Sequence, residues 1–483
     1  QWTWTNTLSW ERTFADDHNV KAYVGVEAIE GFGEFFGAGR QRFPFETTPI
    51  ISYLDLGNQG TSSNFGNIFQ DFSLWSQFGQ ANYNYNDKYL AQVTVRNDAS
   101  SRFKQATNSA LFPAFSVGWR MSEEDFMSGI SWITDLKFRY GWGKTGNQEI
   151  GDYNAFTQFR STSYNSGYPI DGSASEPALG YDPGQFGNPG AKWEATISNN
   201  LGFDALLFDQ ALFIEFDVWN RTTTDLLLTI PVVFSAGDAG APAVNIGEMY
   251  NKGIDFAMDW IHEINDDISL TIGGNISAYK NEVRELDEFD TPIFGTNRRV
   301  PALTRTAVGD PISSIYGFKV EGIFQSQAEA DAWAPYGTTG YNAPGKFRYA
   351  DINNDGEIND DDRTIIGNPH PDFVYGINLN LKYRNLNLNV FGNGVEGNDV
   401  YNYVRYFADF NTFQGNRSVR ALRDAWQPSN PSAPTSQWTA ANPNATSPIP
   451  DANDQISSRT STYLIEDASY FRIRNIQLTY TFD

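Results

Sequence analysis

The residues best spaced for chemistry are acidic and lie in one short run. Asp351 to Asp362 reads D-I-N-N-D-G-E-I-N-D-D-D. Asp351, Asn353 and Asp355 place side-chain oxygens at alternate positions, and Gly356 permits a sharp turn. Glu357 would offer its backbone carbonyl, Ile358 is an apolar anchor, and Asn359 and Asp362 complete the series. Ca²⁺ takes about six to eight hard oxygen ligands, and a calcium loop wraps them at this spacing. Two features depart from the calcium-sensor pattern: Asp362 stands where a longer Glu is usual, and no helix pair flanks the run. The expectation is therefore a structural Ca²⁺ that pins a long loop. The plain alternative is a solvated acidic turn.

Other groups fail as chemistry. Gly143-Lys144-Thr145 suggests a phosphate loop, but that motif needs a glycine where Phe138 stands. His18, His262 and His370 are the only histidines, and none has metal or triad spacing. Glu123 and Glu124 are better placed to cap a turn than to cleave a glycosidic bond. No catalytic constellation emerges, and no enzyme activity is expected. The Pro-rich segment 427–456 is an extended loop. Trp333, Tyr336, Tyr341, Trp426 and Trp438 also lie in long loops. Exposed there, they would present rings to a sugar or a partner protein; packed together, they would be a local core.

These loops hang on strands. Tyr89, Ala91, Val93 and Val95 alternate with Leu90, Gln92, Thr94 and Arg96. The same two-residue period recurs in about fourteen segments, near 1–14, 18–30, 72–85, 87–98, 112–121, 133–143, 193–207, 210–222, 250–262, 267–281, 312–324, 372–383, 385–394 and 470–482. The best helical stretch is short, Gln327–Trp333. Many strands exceed the ~5–6 residues usual in soluble sheets. Their apolar phase is rich in Trp, Tyr and Phe, and tight connections alternate with long ones. These features point to an all-β, antiparallel transmembrane barrel with long extracellular loops. The polar phase, including Arg96, Lys137, Arg139, Asp255, Asp259, Asn378, Asn380, Asn387 and Asn389, would line a hydrated lumen.

Composition agrees. The 483 residues carry 34 Lys+Arg against 58 Asp+Glu, a net charge of −24, and no cysteine. The charge excludes nucleic-acid binding driven by phosphate neutralisation. The lack of cysteine excludes disulfide scaffolds and thiolate chemistry.

Several runs carry a family resemblance. The run 81–103 contains NYNYNDKYLAQVTVRNDASSRF, 111–127 reads LFPAFSVGWRMSEEDFM, and 135–153 reads DLKFRYGWGKTGNQEIGDY. MYNKGIDF follows at 249–256, SSIYGFKVEGIF at 313–324, GKFRYADINNDGEINDDDRTIIGNPHPDFV at 345–374 and YLIEDASYFRIRNIQLTYTF at 463–482. Together, and in this order, they resemble the barrel region of SusC/RagA-like TonB-dependent outer-membrane transporters of Bacteroidetes. The resemblance implies that residues 1–483 are a later portion of a barrel of about 22 strands, with the plug domain and TonB box outside this sequence. It also implies import of oligosaccharides or oligopeptides, a SusD-like surface lipoprotein as lid, and energy from TonB–ExbB–ExbD through the plug. Outer-membrane lipid would surround the wall. A passive porin and a calcium-stabilised secreted adhesin are the alternatives.

Overall fold

The structure is a computed structural model. It describes residues 1–43, 53–161, 166–170, 172, 178–229, 237, 239–287, 289–295, 302–337, 340–410 and 415–482. Parts of the long loops therefore lie outside the described residues.

Thirteen long strands hydrogen-bond in chain order in one sheet. They are β1 (Trp2–Phe14), β2 (His18–Gly39), β3 (Ser63–Tyr85), β4 (Tyr89–Ser100), β5 (Ser109–Arg120) and β6 (Ile133–Asn147). Then come β7 (Glu194–Leu207), β8 (Leu212–Thr224), β9 (Glu248–Asn265), β10 (Ile268–Glu285), β11 (Phe373–Tyr383), β12 (Leu386–Glu396) and β13 (Tyr470–Tyr480). Alternation in the sequence located all thirteen. Tight turns join β1 to β2, β3 to β4, β7 to β8, β9 to β10 and β11 to β12. In the β3–β4 turn Asn86 and Asp87 both have positive φ, 51° and 53°, and Lys88 N–H donates to Tyr85 O at 2.9 Å. Asn and Asp tolerate that backbone, and its twist suits a strand pair.

The chain divides into two compact units. The first holds residues 1–128, 137–201 and 221–246. Here β2 and β3 run for 22 and 23 residues, well beyond the expected 18–30 and 72–85. At ~3.3 Å per residue each is about 70 Å long, far more than a bilayer crossing requires. The sequence hid this extension because GFGEFFGAG interrupts the alternation. A Cβ on Gly31 would lie 2.4 Å from the Phe72 ring, and one on Gly37 would lie 2.4 Å from Phe65. Glycine is what lets each ring cross its partner strand. At the long-loop end, Phe103, Phe112, Ile150 and Trp193 form a small core.

The second unit holds 129–136, 202–220 and 247–483. Its strands β9 to β13 support a large loop body between β10 and β13. The core of that body includes Phe318, Phe347, Tyr349, Ile358, Trp426 and Leu464. The segment 312–324, expected as a wall strand, belongs to this body instead. It breaks into Ser314–Gly317 and Val320–Ile323, which join two different small sheets. Phe318 and Phe324 are both fully buried there, so the alternation served loop packing rather than the wall. Helix Gln327–Ala332 forms where expected, and Ser326 caps it by accepting from Glu329 N–H at 3.3 Å. Two further helices, Tyr403–Asp409 and Val419–Arg423, were too short to leave a periodic signal.

Candidate functional site

Register separates the two faces residue by residue, because directly opposite residues share a face. In the first unit one row runs Val20, Tyr83, Ala91, Val117, Tyr140. The next row, nearer the tight turns, runs Tyr85, Tyr89, Trp119, Phe138. In the second unit Trp260, Ile272, Leu379, Val390 and Ile476 form such a row. Phe138 and Phe256 both lie on this apolar face.

The opposite face is polar and internally bonded. Arg96 Nη2 donates to Glu27 Oε1 and to Ser76 Oγ, both at 2.8 Å, and Arg96 Nε donates to Asp98 Oδ1 at 2.7 Å. Tyr23 OH and Thr94 Oγ1 both donate to Gln80 Oε1, at 2.9 and 3.2 Å. The alternation had marked Arg96. Glu27 and Asp98 were missed, although each sits on the polar phase of its strand. In the second unit this face is an amide surface. Asn380, Asn389 and Gln477 form one row, and Lys382, Asn387 and Thr479 form another. Asn389 Nδ2 donates to Asn378 Oδ1 at 3.3 Å, and Arg474 Nε donates to Asn393 Oδ1 at 2.9 Å. Such a wall offers both donors and acceptors to a hydrated solute.

A polar node stands at the tight-turn end of the first unit. The Glu124 carboxylate accepts from Tyr89 OH at 2.6 Å, Trp119 Nε1 at 3.0 Å and Lys88 Nζ at 3.2 Å. These bonds, Tyr89's foremost, hold the Glu124 carboxyl below the usual carboxylate range. The Glu124 side chain makes no capping hydrogen bond to the helical turn Asp125–Met127 that follows it; it ties that region to aromatic residues and Lys88 instead.

The 351–362 loop closes on itself. Gly356 N–H donates to Asp351 Oδ2 at 2.9 Å, and Glu357 N–H donates to Asp355 Oδ1 at 2.9 Å. Asn353 Nδ2 donates to Asp355 Oδ2 at 2.9 Å. Asp362 is fully buried and accepts from Ile352 and Asn359 N–H, each at 2.8 Å. Asn359 caps the short helical turn that follows it. Among the described residues no group of three or more acidic or histidine side chains converges as a metal centre. One oxygen, Asp351 Oδ1, is buried without a hydrogen-bond partner.

Of the two readings of the loop aromatics, burial supports packing into a local core. Trp426 is 1% exposed, Tyr336 7% and Tyr341 8%. Trp438 packs partly buried against the same core. Trp333 donates from Nε1 to Tyr349 O at 2.9 Å and lies against the Arg348 guanidinium. A loop body this large needs its own core, and these rings are the largest apolar groups available to it. Burial raises the Tyr341 and Tyr349 hydroxyls well above their ordinary range and pushes Tyr463 up to about 12. Lys346, between Asp451 and Asp454 at 2.7 and 2.9 Å, staples two distant parts of this body. No local pattern announces that contact.

The remaining candidates stay apart. Gly143, Lys144 and Thr145 lie within β6, so they form no phosphate loop. His18 Nδ1 meets Tyr83 OH at 2.8 Å, His370 lies 3.3 Å from Tyr279 OH, and His262 stacks on Trp260.

Known proteins resemble this chain in sequence and fold. Residues 1–395 match the family described as TonB dependent receptor-like, beta-barrel. TonB-dependent receptor P3 of Formosa agariphila is 29% identical over 483 residues, covering 98% of this chain and 45% of that protein. TonB-dependent receptor SusC of Bacteroides thetaiotaomicron is 28% identical over 414 residues, covering 85% of this chain and 38% of that protein. A solved structure of the RagAB peptide transporter superposes with a TM-score of 0.78 at 24% identity, over 99% of this chain and 48% of that one. This chain spans less than half the length of these curated relatives.

Proposed function

The chain belongs to the TonB-dependent receptor-like β-barrel family, and from that premise we propose that it forms the wall of an active outer-membrane importer. The apolar face meets lipid and the polar face lines the path. The observation that carries this reading is the polar face itself. Amides and ion pairs of both signs lie there directly behind a continuous apolar face. An apolar ligand would gain nothing from such a lining; a hydrated oligosaccharide or oligopeptide would exchange its water for amide contacts.

The complete transporter would include a plug that TonB–ExbB–ExbD moves, and a SusD-like lipoprotein over the extracellular mouth. Relatives described as SusC and as the RagAB peptide transporter support that assembly. The direct test is uptake of labelled oligosaccharides and oligopeptides by cells carrying the full-length protein, with and without TonB. Saturable uptake that collapses without TonB is the expected result. Uptake that persists without TonB and rises linearly with solute would make the protein a passive pore.

We also propose that the loop 351–362 binds a structural Ca²⁺ through Asp351, Asn353, Asp355, the Glu357 carbonyl, Asn359 and Asp362. The residue types suit a hard cation, and the buried, unpartnered Asp351 Oδ1 supports a ligand there. Asp355 and Asp362 would give up their bonds to backbone N–H groups in exchange.

A further inference from the structure

The apolar face of the first unit carries a groove of about 410 Å³ close to the tight turns. Its floor is the cross-strand pair Ala91 and Val117. Tyr83 and Tyr140 flank that pair in the same row, and Tyr89, Trp119 and Phe138 close the end toward the turns. The trough exists because two small side chains sit among five rings. Beyond Tyr89 and Trp119 lies the ion pair of Lys88 and Glu124, with side chains only 20% and 16% exposed.

The chemistry at the mouth has two signs at a fixed spacing. An ionised carboxylate offers about four acceptor sites, and Glu124 uses three of them on Tyr89, Trp119 and Lys88. An ammonium has three donors, and Lys88 is shown using one on Glu124. Among the described residues, one acceptor site of Glu124 and two donors of Lys88 are therefore left at the end of the apolar trough. In barrels of this family's kind the tight turns face the periplasm, so this end lies at the inner leaflet.

We propose that the groove is a built site for one zwitterionic phospholipid of that leaflet. An acyl chain lies over Ala91 and Val117, the headgroup ammonium bonds Glu124, and the phosphate bonds Lys88. The groove opens on the apolar face, and Arg139 is the one charged residue in its lining. A lipopolysaccharide, which lacks this ammonium-and-phosphate headgroup, fits the mouth less well.

The test uses the full-length transporter in mild detergent, with native mass spectrometry to count retained lipid. Synthetic phosphatidylethanolamine, phosphatidylglycerol and lipopolysaccharide are the probes. The wild type should retain one phosphatidylethanolamine and prefer it over the other two. Ala91→Phe should weaken retention at least tenfold, whereas Val93→Phe, on the same face but outside the groove, should not. Glu124→Gln should abolish the preference over phosphatidylglycerol while still retaining lipid. Heat-modifiable gel migration reports folding of each variant, and Val117→Phe replaces Ala91→Phe if the latter fails it. Equal retention by wild type and the folded groove-filling variant would overturn the proposal. So would a wild type that shows no headgroup preference, or one that prefers lipopolysaccharide.

Discussion

Replacing Trp426 with Ala asks whether the loop aromatics are a core or a docking rim. Trp426 is 1% exposed, and its Nε1 donates to Gln325 Oε1 at 3.2 Å. Gly345, at φ 84°, approaches so closely that a Cβ there would lie 2.7 Å from the Trp426 ring. The Trp438 ring centroid lies 6.2 Å away. Truncating a buried Trp to Ala costs about 3–5 kcal/mol, lost indole bond included. Each 1.4 kcal/mol is about tenfold, so the loop body should open roughly a hundred to a few thousand times more often. Proteolysis of transiently opened structure tracks that population when closing is fast. Outer-membrane vesicles treated with protease should therefore lose the 318–464 region of Trp426→Ala far faster than that of wild type. Trp426→Phe, which keeps most of the buried area, should fall between. The wall strands should stay protected throughout. A Trp426→Ala protein cleaved no faster than wild type, yet unable to bind a lid protein, would refute the core assignment and restore the rim.

Further outcomes follow from the same structure. Phe256→Asp should impair assembly into outer membranes, since a charge on the lipid face near the midplane is destabilising, by about 2–4 kcal/mol for Arg or Lys and less for Asp, while Asn387→Asp on the polar face should assemble; equal assembly would reverse the facing. The buried tyrosines have folded pKa values raised above the unfolded value of about 10, so their stabilisation is complete below that pH and is lost as pH rises through the folded values. Absorbance should show Tyr341, Tyr349 and Tyr463 ionising together with opening of the loop body above pH ~10, rather than gradually at their ordinary value. Millimolar Ca²⁺ should raise protease resistance around 351–362, and Asp351→Asn should remove the gain; wild type indifferent to Ca²⁺ and chelator would leave the loop a self-capped turn.

What was legible depended on whether local period and global burial coincided. Strand β4 is read directly, because Ala91 lies in an apolar cross-strand row with Tyr83 and Val117 while Gln92 lies opposite Asn82 and Ser116. The same period misled at 312–324, where Phe318 and Phe324 alternate into a loop core instead of into lipid. The extension of β2 past Glu30 was hidden because glycine there makes room for phenyl rings of the partner strand, Phe72 over Gly31 and Phe65 over Gly37, contacts that are distant in sequence. Likewise Trp426 and Tyr341 look identical in sequence whether exposed or buried. What buries them is the Lys346 staple to Asp451 and Asp454 and the return of the chain at Leu464. The acidic loop was recognisable from spacing, but spacing does not reveal that Asp362 already serves two backbone N–H groups.

The central claim is that one face of the sheet meets lipid and the other meets the transport path. Residues 1–483 contain no cysteine, so each introduced cysteine is the only one among them, and the parent protein without it supplies the labelling background. Four successive residues of β11 suffice: Ile377→Cys, Asn378→Cys, Leu379→Cys and Asn380→Cys in the full-length transporter, in isolated outer membranes. A charged, membrane-impermeant maleimide should label positions 378 and 380 at least several-fold faster than 377 and 379. A lipophilic maleimide should invert that order. Labelling that is uniform along the strand, or faster at 377 and 379 with the charged reagent, would contradict the account.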